Sequence, residues 1–355
     1  MIHANSRIYI LSDHIRTGKT NVLSQWLKNI YSKGGFLTPD IDEKRKLLSL
    51  NTGIYHNFEV DESFEEKVSI GRFHFSKKVM DDAADEILYI LDKGVQYLVI
   101  DEIGRLEIES NLGFYPILNE VITNYKKPGL GYLILVIRKS LLQRGIEKFQ
   151  LQNAIVLNIE AFKSATKNYG LILAGGDSSR MGIKKGLIKY HDKFQQDFLF
   201  EELSKHCEKV FLSLKSNTID TNPSLLPAIE DSKSFLDKGP MSALLSALLQ
   251  NPLANLYVLA CDYPLMNSRD IEFLYKYFLI SESSVCYGKE KNYEPLLAIY
   301  HNNDFHTLWK MFVRGNESLR KFQEAIKPHV LLPINEDILL SVDTPEQMIE
   351  AQGKL

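Results

Sequence analysis

Two α/β domains in tandem are what this sequence predicts, and three observations predict them. The 355-residue length exceeds what one hydrophobic core usually organises. Apolar runs of strand length alternate with stretches of helical spacing along the chain. A second start also sits mid-chain, where YGLILAGGDSSRMGIKK at Tyr169–Lys185 sets an apolar strand, a Gly-Gly turn and then Arg180, Lys184 and Lys185 in close succession. The boundary is expected near residue 165, giving one domain over 1–165 and another over 166–355.

The elements follow in order. RIYIL at 7–11 reads as a buried strand, a polar loop runs to Thr20, and Asn21–Ile30 carries the apolar spacing of a helix. Ala83–Leu91 reads as helix, Tyr97–Ile100 as a short strand ending in two acids, and Gly131–Ile137 and Ala154–Ile159 as further strands. Polar Lys163–Asn168 is the expected linker. The second half repeats the logic with strands at 170–174, Val210–Leu214 and Leu256–Ala260, and helices at Asp197–Cys207, 241–250 and 268–279. Strands alternating with helices predict parallel sheets in both halves.

Composition excludes several classes. Lys+Arg 42 against Asp+Glu 45 leaves a net charge of -3, with no global pull toward nucleic acid or an anionic membrane, so any anion site must be local. Three cysteines without CxxC spacing argue against a disulfide scaffold and a structural zinc site and fit a reducing compartment. No secretory leader pattern and no long apolar span is visible, and the cytoplasm is the expected location.

Asp13-His-Ile-Arg-Thr-Gly-Lys-Thr20 has the spacing of the phosphate-binding loop GxxxxGK[ST], with Gly18, Lys19 and Thr20 intact. In such a loop the lysine reaches the β- and γ-phosphates and the Thr20 hydroxyl binds Mg²⁺. Downstream, the strand Tyr97–Ile100 delivers Asp101, suited to hold Mg²⁺ through water, and Glu102, suited to orient or deprotonate an attacking water. Asp13 stands where the first glycine belongs. Its β-carbon and negative charge at the rim predict weaker triphosphate binding, with Arg16 a partial offset, and predict that Asp13→Gly strengthens it.

Together with Gly35-Phe-Leu-Thr-Pro39, Ile70-Gly-Arg-Phe73 and Asp101-Glu-Ile-Gly-Arg-Leu-Glu107, this half resembles the small P-loop nucleoside-triphosphatases marked by a DEIG sequence. The resemblance implies triphosphate hydrolysis with little base preference through Lys19, Thr20, Asp101 and Glu102.

The second glycine-rich loop suits nucleotidyl transfer, in which a phosphate attacks the α-phosphate of a nucleoside triphosphate and charge must be neutralised on both sides. Gly175 and Gly176 would let the backbone close on the nucleotide, and Arg180 and Lys185 would supply fixed cations. Leu173-Ala-Gly-Gly-Asp-Ser-Ser-Arg-Met-Gly182 with Lys185-Gly-Leu187 resembles the LAGGxSxRMGxxK loop of the molybdenum cofactor guanylyltransferases and their cytidylyltransferase relatives, a Rossmann-like nucleotidyltransferase fold. That resemblance places Leu173, Ala174, Gly175 and Gly176 on the nucleotide, Asp231 near the nucleoside, Asp262 and Asp343 as Mg²⁺ ligands, and Glu294 in the acceptor-side segment. Asp262 also ends an apolar strand, where open α/β sheets place ligands. Val342-Asp-Thr-Pro345 reads equally as a plain helix start.

Ser213-Leu-Lys-Ser216 departs from the family's Ser-Ala-Asn-Arg, which leaves the base open. Cys261 reads as a small buried thiol, and His74, His191 and His206 have no partner spacing. The resemblance therefore implies transfer of GMP from GTP to molybdopterin with Mg²⁺, beside molybdoenzyme maturation proteins and with no nucleic acid or membrane partner. A sugar 1-phosphate or other phosphorylated acceptor, and a nucleotide-sensing module without turnover, are the alternatives.

Overall fold

A computed structural model describes residues 6–355 apart from 29, 128, 130, 175–183, 191, 215–225, 233–234, 236–238, 282 and 290–291. The chain forms two compact units, Met1–Ser164 and Ala165–Leu355.

The first unit runs β1 (Ile8–Leu11), α1 (Lys19–Leu27), β2 (Lys33–Leu37), β3 (Asp40–Ile41), β4 (Lys44–Ser49), β5 (Tyr55–Asn57), β6 (Lys67–Ile70), β7 (Phe73–Ser76) and α2 (Lys77–Lys93). It continues through β8 (Tyr97–Ile103), α3 (Arg105–Glu109), α4 (Tyr115–Lys126), β9 (Tyr132–Ile137), α5 (Leu142–Phe149), β10 (Ile155–Leu157) and α6 (Ile159–Ala165). Its main sheet has the order β10-β1-β9-β8-β2-β4-β3, with β5 on β4. The first five of these strands pair in parallel. β1 and β9 are buried along their whole length, as strands covered on both faces must be, which explains their unbroken apolar runs.

The sheet is mixed, the expected parallel strands being extended by antiparallel ones. β4 runs antiparallel to β2, β3 and β5, and β6 pairs with β7 as a separate hairpin. Helix α2 buries Met80, Ala83, Ile87 and Ile90, spaced three to four residues apart, so one stripe packs on the core. The expected linker is partly helix: Asn158 Oδ1 accepts the Ala161 N–H at 2.8 Å, starting α6 directly after β10, and α6 runs to Ala165. The next strand begins at Asn168, so only Thr166 and Lys167 connect the two elements.

The second unit runs β11 (Asn168–Leu173), α7 (Gln195–Ser204), β12 (Lys209–Leu214), β13 (Ala228–Glu230), α8 (Pro240–Gln250), β14 (Asn255–Ala260) and α9 (Ser268–Ser281). Then come β15 (Val285–Lys289), β16 (Asn292–Tyr300), α10 (Phe305–Val313), α11 (Leu319–Ile326), β17 (His329–Leu331) and α12 (Pro345–Gln352). The sheet order is β13-β12-β11-β14-β16-β15-β17. β11 to β14 are parallel to one another, and β16 is antiparallel to both β14 and β15. This sheet is also mixed rather than parallel throughout. No helix among the described residues is long and apolar enough to cross a membrane.

Candidate functional site

In the first unit, parallel pairing puts the carboxyl ends of β1, β2, β8, β9 and β10 at one edge of the sheet, where an open α/β sheet receives its ligand. The loop 12–18 leaves β1 there and turns into α1 through Gly18, whose φ of 87° a side chain would strain. Lys19 Nζ donates to the main-chain oxygens of His14 at 2.6 Å and Asp13 at 3.2 Å, so the ammonium lies folded over the loop. Burial lowers its pKa, opposed by Asp13 and Asp101.

Thr20 Oγ1 donates to Asp101 Oδ2 at 2.8 Å, and the same carboxylate oxygen accepts the Thr38 N–H at 2.9 Å and its hydroxyl at 3.1 Å. Asp101 is buried, which pushes its pKa up, while these bonds pull it back toward the ionised form. Glu102 follows at a bulge, since β8 spends three residues from Ile100 to Ile103 where β9 spends two from Leu135 to Ile137. Glu102 adopts φ 60°, a left-handed conformation rare outside glycine, and the bulge re-aims its side chain. Its Oε1 is shared by Arg45 Nη1 at 2.8 Å and Arg138 Nη2 at 3.1 Å. Burial nonetheless pushes Glu102 up to about 7, against the pull of Arg45.

Asp13 is held by main-chain donors on two sides. Oδ1 accepts the His14 N–H at 2.8 Å and Oδ2 the Ile159 N–H at 3.4 Å, and these backbone bonds hold its pKa down. The carboxylate thus joins the loop to the first turn of α6, and its charge also acts on Lys19.

Gly18, Lys19, Thr20, Asp101 and Glu102 thus come together. Thr38, from the segment Gly35-Phe-Leu-Thr-Pro39, joins them without having been assigned a role, and Arg45 and Arg138 join them unannounced by any motif. One signal was available: Thr38 and Arg138 each follow directly on a strand end, at the edge where an open α/β sheet receives its ligand.

The second unit assembles its site in the same way. Ala174, Asp231 and Asp262 follow the carboxyl ends of β11, β13 and β14, all parallel. Lys185 Nζ lies 2.6 Å from Asp343 Oδ1 and 3.2 Å from Asp262 Oδ1. The two carboxylates stand far apart in sequence, one just after β14 and the other just before α12, and a backbone bond from the Val342 N–H to the Asp262 oxygen at 2.8 Å ties their segments. Burial would lower the Lys185 pKa, but Asp343 and Asp262 outweigh it and hold the ammonium charged. Asp262 is pushed up by burial, with Lys185 opposing.

Asp343 lies one residue before the cap of α12, where Gln347 Oε1 accepts the N–H groups of Asp343 at 2.7 Å and Thr344 at 3.0 Å. The helix start and the acid aimed at Lys185 are therefore one device. Asp231 stands on the other side of β11 from Asp262, its Oδ1 accepting Ser213 Oγ at 3.4 Å. Glu294 accepts the Tyr263 hydroxyl at 2.8 Å, and Leu173 ends β11 half-buried. Gly186 packs against Ala174, where a β-carbon would come within 2.6 Å of Gln196 Oε1. Gly175, Gly176 and Arg180 lie outside the described residues. Burial pushes the Cys261 thiol up, which leaves it inert. Among the described residues no three His, Cys, Asp or Glu groups cluster as a metal site.

The family model described as MobA-like NTP transferase domain matches residues 170–330, and that described as NTPase matches 8–161. A probable molybdenum cofactor guanylyltransferase of Carboxydothermus hydrogenoformans is 30% identical over 181 residues, which cover 49% of this chain and 89% of that protein. The chain belongs to the MobA-like NTP transferases. Its first domain is of the NTPase family. The MobA-like domain is also similar to a probable molybdenum cofactor guanylyltransferase of Methanosarcina mazei, 27% identical over 169 residues, 45% of this chain and 72% of the relative. A molybdenum cofactor biosynthesis bifunctional protein of Synechocystis is 39% identical over 112 residues, 31% of this chain; the chain spans 32% of that relative's length.

Proposed function

We propose that the MobA-like domain transfers GMP from GTP to molybdopterin and releases pyrophosphate. The single observation that carries the reading is the convergence of Asp262 and Asp343 on the Lys185 ammonium. A phosphate oxygen of the acceptor attacks the α-phosphorus, the bond to the bridging oxygen toward the β-phosphorus breaks, and its electron pair leaves with pyrophosphate. Lys185, whose charge needs no titration at neutral pH, binds the phosphate oxygens and offsets the charge that moves onto the leaving group. Arg180 adds a second cation from the glycine-rich loop, and Asp231 holds the nucleoside. The names of the relatives from Carboxydothermus hydrogenoformans and Methanosarcina mazei supply the acceptor and the base.

Two carboxylate oxygens that reach one ammonium converge on a point, and this all-oxygen pair suits a hard divalent cation. Asp262 and Asp343 would hold Mg²⁺, which when bound adds charge neutralisation at the phosphates. In the first domain Thr20 and Asp101 form the matching pair.

That first domain hydrolyses nucleoside triphosphates in this reading, with Lys19 on the phosphates and Glu102 taking the proton of the attacking water. Molybdoenzyme maturation proteins are the expected partners, with no nucleic acid or membrane.

The test is pyrophosphate release by the purified full chain with Mg²⁺ and molybdopterin, comparing GTP, CTP, ATP and UTP, with free phosphate recorded in parallel. Pyrophosphate that needs both GTP and molybdopterin supports the transferase, and free phosphate supports the hydrolase. Pyrophosphate with a sugar 1-phosphate in place of molybdopterin would overturn the acceptor.

A further inference from the structure

At the end of β9 stands a cation that the glycine-rich loop and the acidic strand end do not account for. Arg138 follows Ile137 directly and donates through Nη2 to Glu102 Oε1 at 3.1 Å. Arg45 Nη1 reaches the same oxygen at 2.8 Å, so one carboxylate holds two guanidinium groups, one more than its charge requires. The two are held differently. The Arg45 guanidinium also lies 3.8 Å from Asp40 and covers the rings of Phe73 at 5.4 Å and Phe75 at 5.9 Å, contacts that fix it in place. Among the described residues Glu102 is the one acid that Arg138 pairs with.

Arg138 is also beside the phosphate loop. The N–H of the next residue, Lys139, donates to the Asp13 main-chain oxygen at 3.0 Å, and Lys19 Nζ donates to that oxygen at 3.2 Å. The backbone of Arg138 is thereby one residue from an atom of the loop itself. Its charge reaches Lys19 too, adding to the lowering of that ammonium's pKa.

We propose that Arg138 is a catalytic arginine of the first domain, which leaves Glu102 to bind the γ-phosphate of a nucleoside triphosphate seated on the loop. The proposal rests on the hydrolase reading of this domain. A water oxygen attacks the γ-phosphorus, the bond from that phosphorus to the β–γ bridging oxygen breaks with its electron pair going to the departing nucleoside diphosphate, and the water's proton passes to Glu102. The planar guanidinium spans two γ-oxygens and balances the charge spread over them in the transition state. Its departure removes one of the two guanidinium groups from Glu102 Oε1, leaving Arg45 there and the Thr38 hydroxyl 3.4 Å from Oε2, so the base is freed of Arg138 only when substrate is present.

The experiment uses the full chain without molybdopterin and reads three quantities: free phosphate release, affinity for a non-hydrolysable triphosphate, and the gain in nucleoside diphosphate affinity caused by aluminium fluoride. The unaltered protein should show the aluminium fluoride gain. Arg138→Ala should lose it, along with about a thousandfold of phosphate release, while triphosphate affinity changes little. Arg138→Lys keeps the charge without the planar fork and should recover little of either. Glu102 retains Arg45 in both variants, so the melting temperature should hold; if the alanine variant does not fold, the lysine variant decides. Phosphate release near that of the unaltered protein in either folded variant overturns the proposal, as does a loss of triphosphate affinity equal to the loss of rate. No release and no aluminium fluoride gain in the unaltered protein overturns the hydrolase reading itself and the proposal with it.

Discussion

Lys185 and Asp343 stand 158 residues apart in the chain, and the ammonium of one lies 2.6 Å from the carboxylate of the other. Asp262 shares the same nitrogen at 3.2 Å. A cation suited to phosphate oxygens thus rests on the two acids suited to a divalent ion. Lys185→Met should therefore have two opposite effects. Pyrophosphate release should fall by a factor of about 10² to 10³, the usual loss when one fixed transition-state partner is removed. Binding of Mn²⁺ to the nucleotide-free protein, followed by paramagnetic resonance, should tighten because the carboxylates lose their competing ammonium. Undiminished release from the folded variant would remove Lys185 from the site.

Asp343 and Thr344 are adjacent, and they should separate cleanly by measurement. Thr344 caps α12, its Oγ1 accepting the Gln347 N–H at 3.4 Å while Gln347 Oε1 accepts the Thr344 N–H at 3.0 Å. Thr344→Ala should cost about 1 kcal/mol of stability in denaturant titration and leave transfer nearly intact. Asp343→Asn should do the reverse, since the helix keeps its cap while Lys185 loses its nearer charge. Equal loss of transfer in both variants would mean that Asp343 acts only through the helix.

Much of both sites was legible in the sequence because their residues follow strand ends in parallel sheets, and that position shows as an apolar run closed by a polar residue. Asp101, Glu102 and Asp262 were found this way, at the carboxyl ends of β8 and β14, whereas Lys19, Thr20 and Lys185 were found from the spacing of the two glycine-rich loops. Arg45 was not legible: it lies within the short, charge-rich β4, and only the fold brings it to Glu102. The setting of Asp13 was not legible either, because it depends on a partner 146 residues away, the Ile159 N–H. Asp13→Gly therefore opens the loop and strips an acceptor from α6 in one change. The antiparallel edge strands escaped because β3 and β5 span two and three residues, too short for a period to show.

Gly35 is where the first domain tolerates no side chain. Its φ is 86°, and a β-carbon would lie 2.0 Å from the Val99 carbonyl oxygen on the neighbouring β8. Both the backbone conformation and the close approach of strands exclude alanine. Gly35→Ala should cost about 4 kcal/mol or more, or leave the first domain unfolded, as read by thermal melting. It should also abolish triphosphate binding there, since β2 carries Thr38 to Asp101 and β8 carries Asp101 itself. A melting temperature unchanged by this substitution would show that β2 and β8 do not pack at this distance.

Glu102, the proposed base, should set the pH dependence of the first domain. Burial is the largest influence and raises its pKa to about 7; Arg45 and Arg138 pull it down, and Asp101 and Asp40 push it up. A base works only as the carboxylate, and the ionised fraction grows as pH rises through the pKa. At sub-saturating triphosphate, where the rate reports the free protein with Arg138 still on Glu102, phosphate release should therefore climb from pH 6 to a plateau above about 8, roughly one unit past the midpoint. Glu102→Gln should remove both the climb and most of the rate. Arg45→Gln tests the electrostatic part: with its nearest cation gone, Glu102 should hold its proton to higher pH, and the midpoint should move alkaline. A midpoint that stays in place, or moves acid, would mean that the titrating group is not Glu102.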